Sequence, residues 1–122
     1  MKIGSSENNG IQAWRYCEGK FGTHPCREQQ GASRPCVIIQ NDIGNKNSDT
    51  TIIVPVTDAR GKEVYPHQSF IPEGEGGLTK DSIAKCEQIR VIDSARISGN
   101  MGHLGQIVLA SINQALRRSL EL

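Results

Sequence analysis

The sequence contains no apolar run approaching about 18 residues, so no segment reads as a helix able to cross a bilayer. Residues 1–10 are polar and Asn/Ser-rich, with no apolar stretch to act as a secretory signal. A cytoplasmic location with no membrane partner is therefore expected. No Cys-x-x-Cys pair occurs among the cysteines at 17, 26, 36 and 86, and no histidine stands at ligand spacing from another, so no zinc site is expected. Without a secretory signal all four cysteines read as thiols rather than a disulfide framework. Phosphate-loop, nucleophile-elbow and dinucleotide fingerprints are missing too, which removes most enzyme classes that announce themselves locally and leaves no cofactor implied. An excess of one charge is also lacking: 14 basic against 13 acidic residues give +1. A general nucleic-acid binder shows more, so a nucleic acid would have to be met at a focused site.

What is there is one domain's worth of globular chain. Its 122 residues are 36% hydrophobic and 22% charged, enough to bury about two-thirds of the unfolded surface around one core. A short candidate strand, Ile11 to Cys17, precedes a stretch punctuated by Gly and Pro. Pro35–Gln40 (PCVIIQ) reads as a buried strand ended by the turn-forming run Asn41 to Asp49. Thr50–Thr57 (TTIIVPVT) is a second, with Pro55 marking an edge or a bulge. Arg60-Gly61-Lys62 reads as a turn, Pro66–Ile71 as a weaker strand and Pro72 to Gly77 as a Gly-rich loop. Ser82–Ile92 alternates apolar and polar residues and reads as one strand. From Gly105 the period changes: Val108, Ile112, Leu116 and Leu120 recur every four residues, an amphipathic helix whose last turn carries Arg117 and Arg118. Strand after strand closed by one helix predicts a small β-barrel or an α+β domain.

The chemistry has to come from polar residues at strand ends. Arg34 stands directly before Pro35, which forces it into extended backbone at the rim of a sheet. A guanidinium held there suits anion binding and charge stabilisation better than proton abstraction. Thr57 ends the next strand, where its hydroxyl has the same anion within its range. Composition alone equally allows a surface arginine and an ordinary β-former.

The residues from Arg34 to Asn45 (RPCVIIQNDIGN), followed by Thr50–Thr57, resemble the MazF/PemK family of toxin endoribonucleases. The resemblance continues through Gly77 to Ser82 (GLTKDS), Glu87 to Asp93 (EQIRVID), Met101 to Leu104 (MGHL) and the terminal helix, covering about residues 28–122. It implies an SH3-like β-barrel with short helices, an α+β fold that is usually a homodimer. It implies a sequence-selective endoribonuclease that cuts single-stranded RNA without a metal, and a cognate antitoxin whose tail blocks the RNA groove.

By that resemblance Arg34 and Thr57 are the catalytic pair. The 2′-hydroxyl of RNA attacks its own phosphorus and expels the 5′-oxygen, leaving a 2′,3′-cyclic phosphate and a 5′-hydroxyl, while preorganised donors meet the growing charge. The Kid/PemK branch adds an arginine and an aspartate two apart in a later strand. The matching positions are Lys85 and Glu87, which strand alternation would set on one face and which also read as a surface ion pair. Glu28 and Gln29 match the family's Glu-Gln segment before the arginine. Gln40, Asn41 and Gln88 are candidate base contacts, equally explicable as turn hydrogen bonds. His67 is a further titratable candidate, and His103 reads as structural. The chain is expected to be one domain, 1–122, of which residues 1–27 depart from the family opening. The readings from other classes are a non-cleaving protein on the same barrel, of gyrase-inhibitor type, and a decayed toxin that still binds antitoxin.

Overall fold

A computed structural model of the chain describes the backbone of residues 15–19 and 34–122 and the side chains of residues 34–97 and 102–122. It contains strands β1 (Arg15–Gly19), β2 (Arg34–Ile38), β3 (Thr50–Asp58), β4 (Gln68–Ile71), β5 (Ser82–Lys85), β6 (Arg90–Asp93) and β7 (Ile97–His103), with helices α1 (Asp42–Asn47) and α2 (Gln106–Leu120). The sheet runs β4-β5-β3-β2-β1-β7, with β6 also on β3. Every pairing is antiparallel. The class is α+β, as expected. Among the described residues the two ends of this path, β4 and β7, are not paired with each other, so no hydrogen-bonded ladder closes the sheet into the expected barrel.

β3 organises the sheet, and its two faces carry two clusters. Val54 and Val56 point to one face and pack with Ile71 and Ala84 under Val108, Ile112 and Ala115 of α2. On the other face Ile53 joins Cys36, Ile38 and Ile92, with Ile97 against them. A hydrogen bond of 2.7 Å between the Ser69 and Ser111 hydroxyls ties α2 to β4 on the first face. The four-residue period of α2 follows the core only so far: Leu116 packs at its edge, while Leu120 is 51% exposed as the last turn runs past the sheet.

Three expectations change. The span Ser82–Ile92 is not one strand but β5 and β6, separated by residues 86–89. The reason lies on β3. The Ile39 N–H donates to the Ile52 carbonyl, so even positions of β3 turn their backbone groups to β2 and odd positions turn theirs to the β5/β6 side. Position 55 is proline and has no N–H to offer that side. Its neighbour leaves the ladder there and rejoins it where Arg90 pairs with Ile53. Pro55 thus marks an irregularity, but on a central strand, and the excursion belongs to the partner.

The turn-forming run after β2 contains a helix, α1. Asn41 caps it, accepting from the Gly44 N–H at 2.7 Å, with Asp42 in the first turn and Lys46 in the last. The Gly/polar segment Ile97–His103, given no element from the sequence, is a strand because β1 supplies it a ladder. Nearby, the Gly105 N–H at the start of α2 donates to Glu75 Oε1 at 2.7 Å. A Cβ at Gly102 would lie 3.2 Å from the Gly76 carbonyl oxygen, so the glycine loop and β7 meet where only backbone fits. The expected turn at Arg60-Gly61-Lys62 is present, with Gly61 at φ 71° and the Lys62 N–H donating to the Ala59 carbonyl. No helix among the described residues is long and apolar enough to cross a membrane.

Candidate active site

One line of residues crosses five strands at the sheet's rim. Arg34 pairs with Gly19 of β1, Thr57 pairs with Ile83 of β5, and Ile83 pairs with Phe70 of β4. The β2–β3 register sets Cys36 opposite Pro55. The pairing ends there; extended two residues further, the same register would bring Arg34 level with Thr57 and on the same face, the face turned away from α2. Arg34 is exposed, and its guanidinium holds no partner among the described residues, so its donors are open to an anion.

Thr57 is engaged. Lys62, reaching back from the turn, donates through Nζ to Thr57 Oγ1 at 3.2 Å. Beside this contact lies a groove of about 270 Å³ between Thr57, Gln68, Ile83 and Lys85 of the sheet and Lys62, Glu63 and Tyr65 of the loop before β4. Lys85 is the last residue of β5, half-buried at the groove wall. Glu87 is not on that strand: it sits on the 86–89 excursion, so strand alternation does not put it on a face with Lys85. It meets the groove another way, through Gln68, whose Nε2 donates to Glu87 Oε2 at 3.1 Å while its Oε1 accepts from the Tyr65 N–H at 3.2 Å. Among the described residues no ion pair joins Lys85 to Glu87. His67 stacks on Tyr65 with ring centroids 5.9 Å apart. The arrangement combines an exposed guanidinium, a hydroxyl, two ammonium groups and two carboxylates, Glu63 and Glu87, along one rim, donors and a proton acceptor of the kinds a phosphodiester requires.

The remaining residues named from the sequence fall elsewhere. Both N–H groups of the Gln40 amide are spent, on Asn45 Oδ1 at 2.9 Å and the Thr50 carbonyl at 3.0 Å, and Asn41 is the cap of α1. Gln88 is exposed on the excursion. Glu28 and Gln29 lie outside the described residues, as do most of residues 1–27, Cys26 included. His103 closes β7. Cys36 and Cys86 are buried thiols; burial, with the Glu87 carboxylate adding to it, pushes Cys86 up to about 12. Lys62, Tyr65 and Gln68 were not among the residues singled out from the sequence. The one signal for Lys62 was its place just after a glycine turn that folds back on Thr57.

No group of three or more His, Cys, Asp or Glu side chains converges as metal ligands among the described residues. A model of the PemK-like, MazF-like toxins of type II toxin-antitoxin systems matches residues 20–120, and the chain belongs to that family. It is 37% identical over 94 residues to endoribonuclease EndoA of Bacillus subtilis (strain 168), which covers 77% of this chain and 81% of that protein. It is 39% identical over 94 residues to endoribonuclease MazF of Staphylococcus epidermidis, covering 77% and 78%. A solved endoribonuclease in complex with its cognate antitoxin, from a mycobacterial species, superposes with a TM-score of 0.75 at 17% identity over 92% of this chain and 96% of that one. MazF (Form-I) from Deinococcus radiodurans does so at 0.71 and 21% identity, over 92% and 97%. These two likenesses are of fold.

Proposed function

We propose that this protein is the toxin of a type II toxin–antitoxin pair, an endoribonuclease that cuts single-stranded RNA at selected sequences. The reading is carried to particular residues by the β2–β3 register, Cys36 opposite Pro55, which supports Arg34 and Thr57 as neighbours two residues further out on the open face of the sheet. RNA brings its own nucleophile. The 2′-hydroxyl attacks the adjacent phosphorus, the bond to the 5′-oxygen breaks, and a cyclic phosphate and a 5′-hydroxyl remain. Charge grows on the non-bridging oxygens as the phosphorus becomes five-coordinate. In this reading the Arg34 guanidinium and the Thr57 hydroxyl are the donors that meet it, each such donor contributing about 3 kcal/mol. Glu87, positioned by Gln68, is the candidate proton acceptor, and Lys85 supplies a further cation. His67, stacked on Tyr65, and Gln88, exposed on the 86–89 excursion, are further proposed RNA contacts; Gln40 and Asn41 contact RNA only through groups left over from the α1 corner. Glu28 and Gln29 complete the proposed RNA contacts.

The protein acts in the cytoplasm as a single domain, its sheet curling as an SH3-like barrel. It works as a homodimer restrained by its cognate antitoxin. The relatives named endoribonucleases support the RNA substrate, and the solved endoribonuclease–antitoxin complex of the same fold supports the antitoxin partner.

The test is incubation of the purified protein and its Arg34→Ala variant with a long single-stranded RNA in EDTA, with products mapped by primer extension. Discrete cuts by the wild type alone, ending in cyclic phosphate, are expected. Absence of cuts by a well-folded wild type, or full activity in Arg34→Ala, overturns the reading. DNA breaks without RNA decay would move it to the gyrase-directed class.

A further inference from the structure

We propose that Lys62 is the positioning residue of the Thr57 hydroxyl, acting on RNA through Thr57 rather than by gripping a phosphate itself. The inference rests on the endoribonuclease reading above. A threonine hydroxyl has one hydrogen to give and two lone pairs to offer, and its hydrogen rotates to suit its neighbours. A lysine ammonium has hydrogens only to give. With Nζ 3.2 Å from Oγ1, Lys62 occupies a lone pair of Thr57, and the hydroxyl hydrogen has to point away from it. The directions left open run along the exposed face on which Arg34 stands. Thr57 is itself β-branched and set in a strand, so its χ1 is restricted and the hydrogen is aimed from a stiff frame.

The base from which Lys62 reaches is fixed as well. Gly61, at φ 71°, makes the turn. Asp58 pins it, accepting from the Arg60 N–H at 2.8 Å and from its guanidinium at 3.1 Å. A lysine five residues beyond the threonine therefore returns to it by construction of the turn. A hydroxyl that accepts from a cation is polarised and becomes a better donor to a phosphoryl oxygen. That oxygen carries more charge in the transition state than in bound RNA, so the gain falls on kcat more than on KM.

The experiment uses an oligoribonucleotide spanning one mapped cut, with wild type, Lys62→Met, Thr57→Val and the double variant. Lys62→Met is expected to lower kcat about 10- to 100-fold with KM nearly unchanged, as for the loss of one charge-assisted hydrogen bond. Lys62→Arg restores part of the rate. In the Thr57→Val background the same change costs less than about twofold, because its target is gone. A non-cleavable 2′-O-methyl analogue supplies a second reading: Lys62→Met leaves its affinity and salt slope unchanged. An equal cost in both backgrounds, or a salt slope reduced by about one, assigns Lys62 to phosphate binding or loop support and overturns the proposal. A wild type that cuts nothing overturns the endoribonuclease reading first, and this one with it.

Discussion

Gln40 and Asn45 hold each other in both directions: the Gln40 amide donates to Asn45 Oδ1, and the Asn45 amide donates back to the Gln40 carbonyl, each at 2.9 Å. Asn45 is 3% exposed, and its Oδ1 also takes the buried Thr51 hydroxyl at 2.6 Å. Asn45→Ala strands the Thr51 hydroxyl and the Gln40 carbonyl together, at a cost of about 2–3 kcal/mol. A fall in the urea midpoint with unchanged slope checks it. Gly44→Ala moves the same way, since a Cβ there would sit 3.0 Å from Gln40 Cδ.

Glu75 reaches across from the glycine loop to the start of α2, joining a carboxylate to the positive end of the helix. Glu75→Ala is expected to lower stability by about 1 kcal/mol, and Glu75→Gln by less, because the amide keeps an acceptor but loses the charge. The Glu75→Ala deficit, measured by denaturant titration, should shrink as salt is raised.

Asp58 is held below its ordinary value of 3.8, chiefly by the Arg60 N–H; desolvation opposes this next, and the Arg60 and Lys80 cations add to the lowering. A carboxyl lowered in the fold stabilises it above its unfolded value and loses that contribution as pH falls through the folded value. Asp58→Asn should therefore melt below the wild type at neutral pH. The gap should close as pH drops below 3.8.

Cys86 runs in the opposite sense. With its ordinary value of 9.0 raised to about 12, the thiol is neutral in the fold throughout the neutral range. Its contribution is present below pH 9.0 and lost as pH climbs towards 12. Iodoacetamide should leave native Cys86 unmodified at neutral pH and label it in urea. The stability advantage of wild type over Cys86→Ala should narrow above pH 9.0.

Local residues made β2, β3 and the core face of α2 readable, because apolar periods and a proline at the strand start carry their own meaning. The split between β5 and β6 left only a faint mark in Ser82–Ile92, the consecutive polar residues Glu87 and Gln88. Its cause, Pro55, sits on another strand and acts only once the register is known. α1 was hidden by Asn, Asp and Gly, weak helix formers that hold their turn through the Asn41 cap and the Asn45 contacts. At the site, Arg34 and Thr57 stood out as strand-end residues. Lys62 did not, since a lysine in a turn looks solvated until the turn is folded back. Glu87 was found for its charge but placed on the wrong element.

Because Val56 and Thr57 look to opposite faces of β3, adjacent codons answer to different demands. A substitution at Val56 is felt under α2, whereas one at Thr57 is felt by whatever lies along the open rim. Deleting Pro55 would flip both faces at once, sending the Thr57 hydroxyl beneath the helix and the Val56 isopropyl group to the open face. The exposed stretch at residues 60–66 carries no such parity. Length variation should therefore be purged within this strand and admitted in the loop that follows, provided the lysine still returns to the threonine.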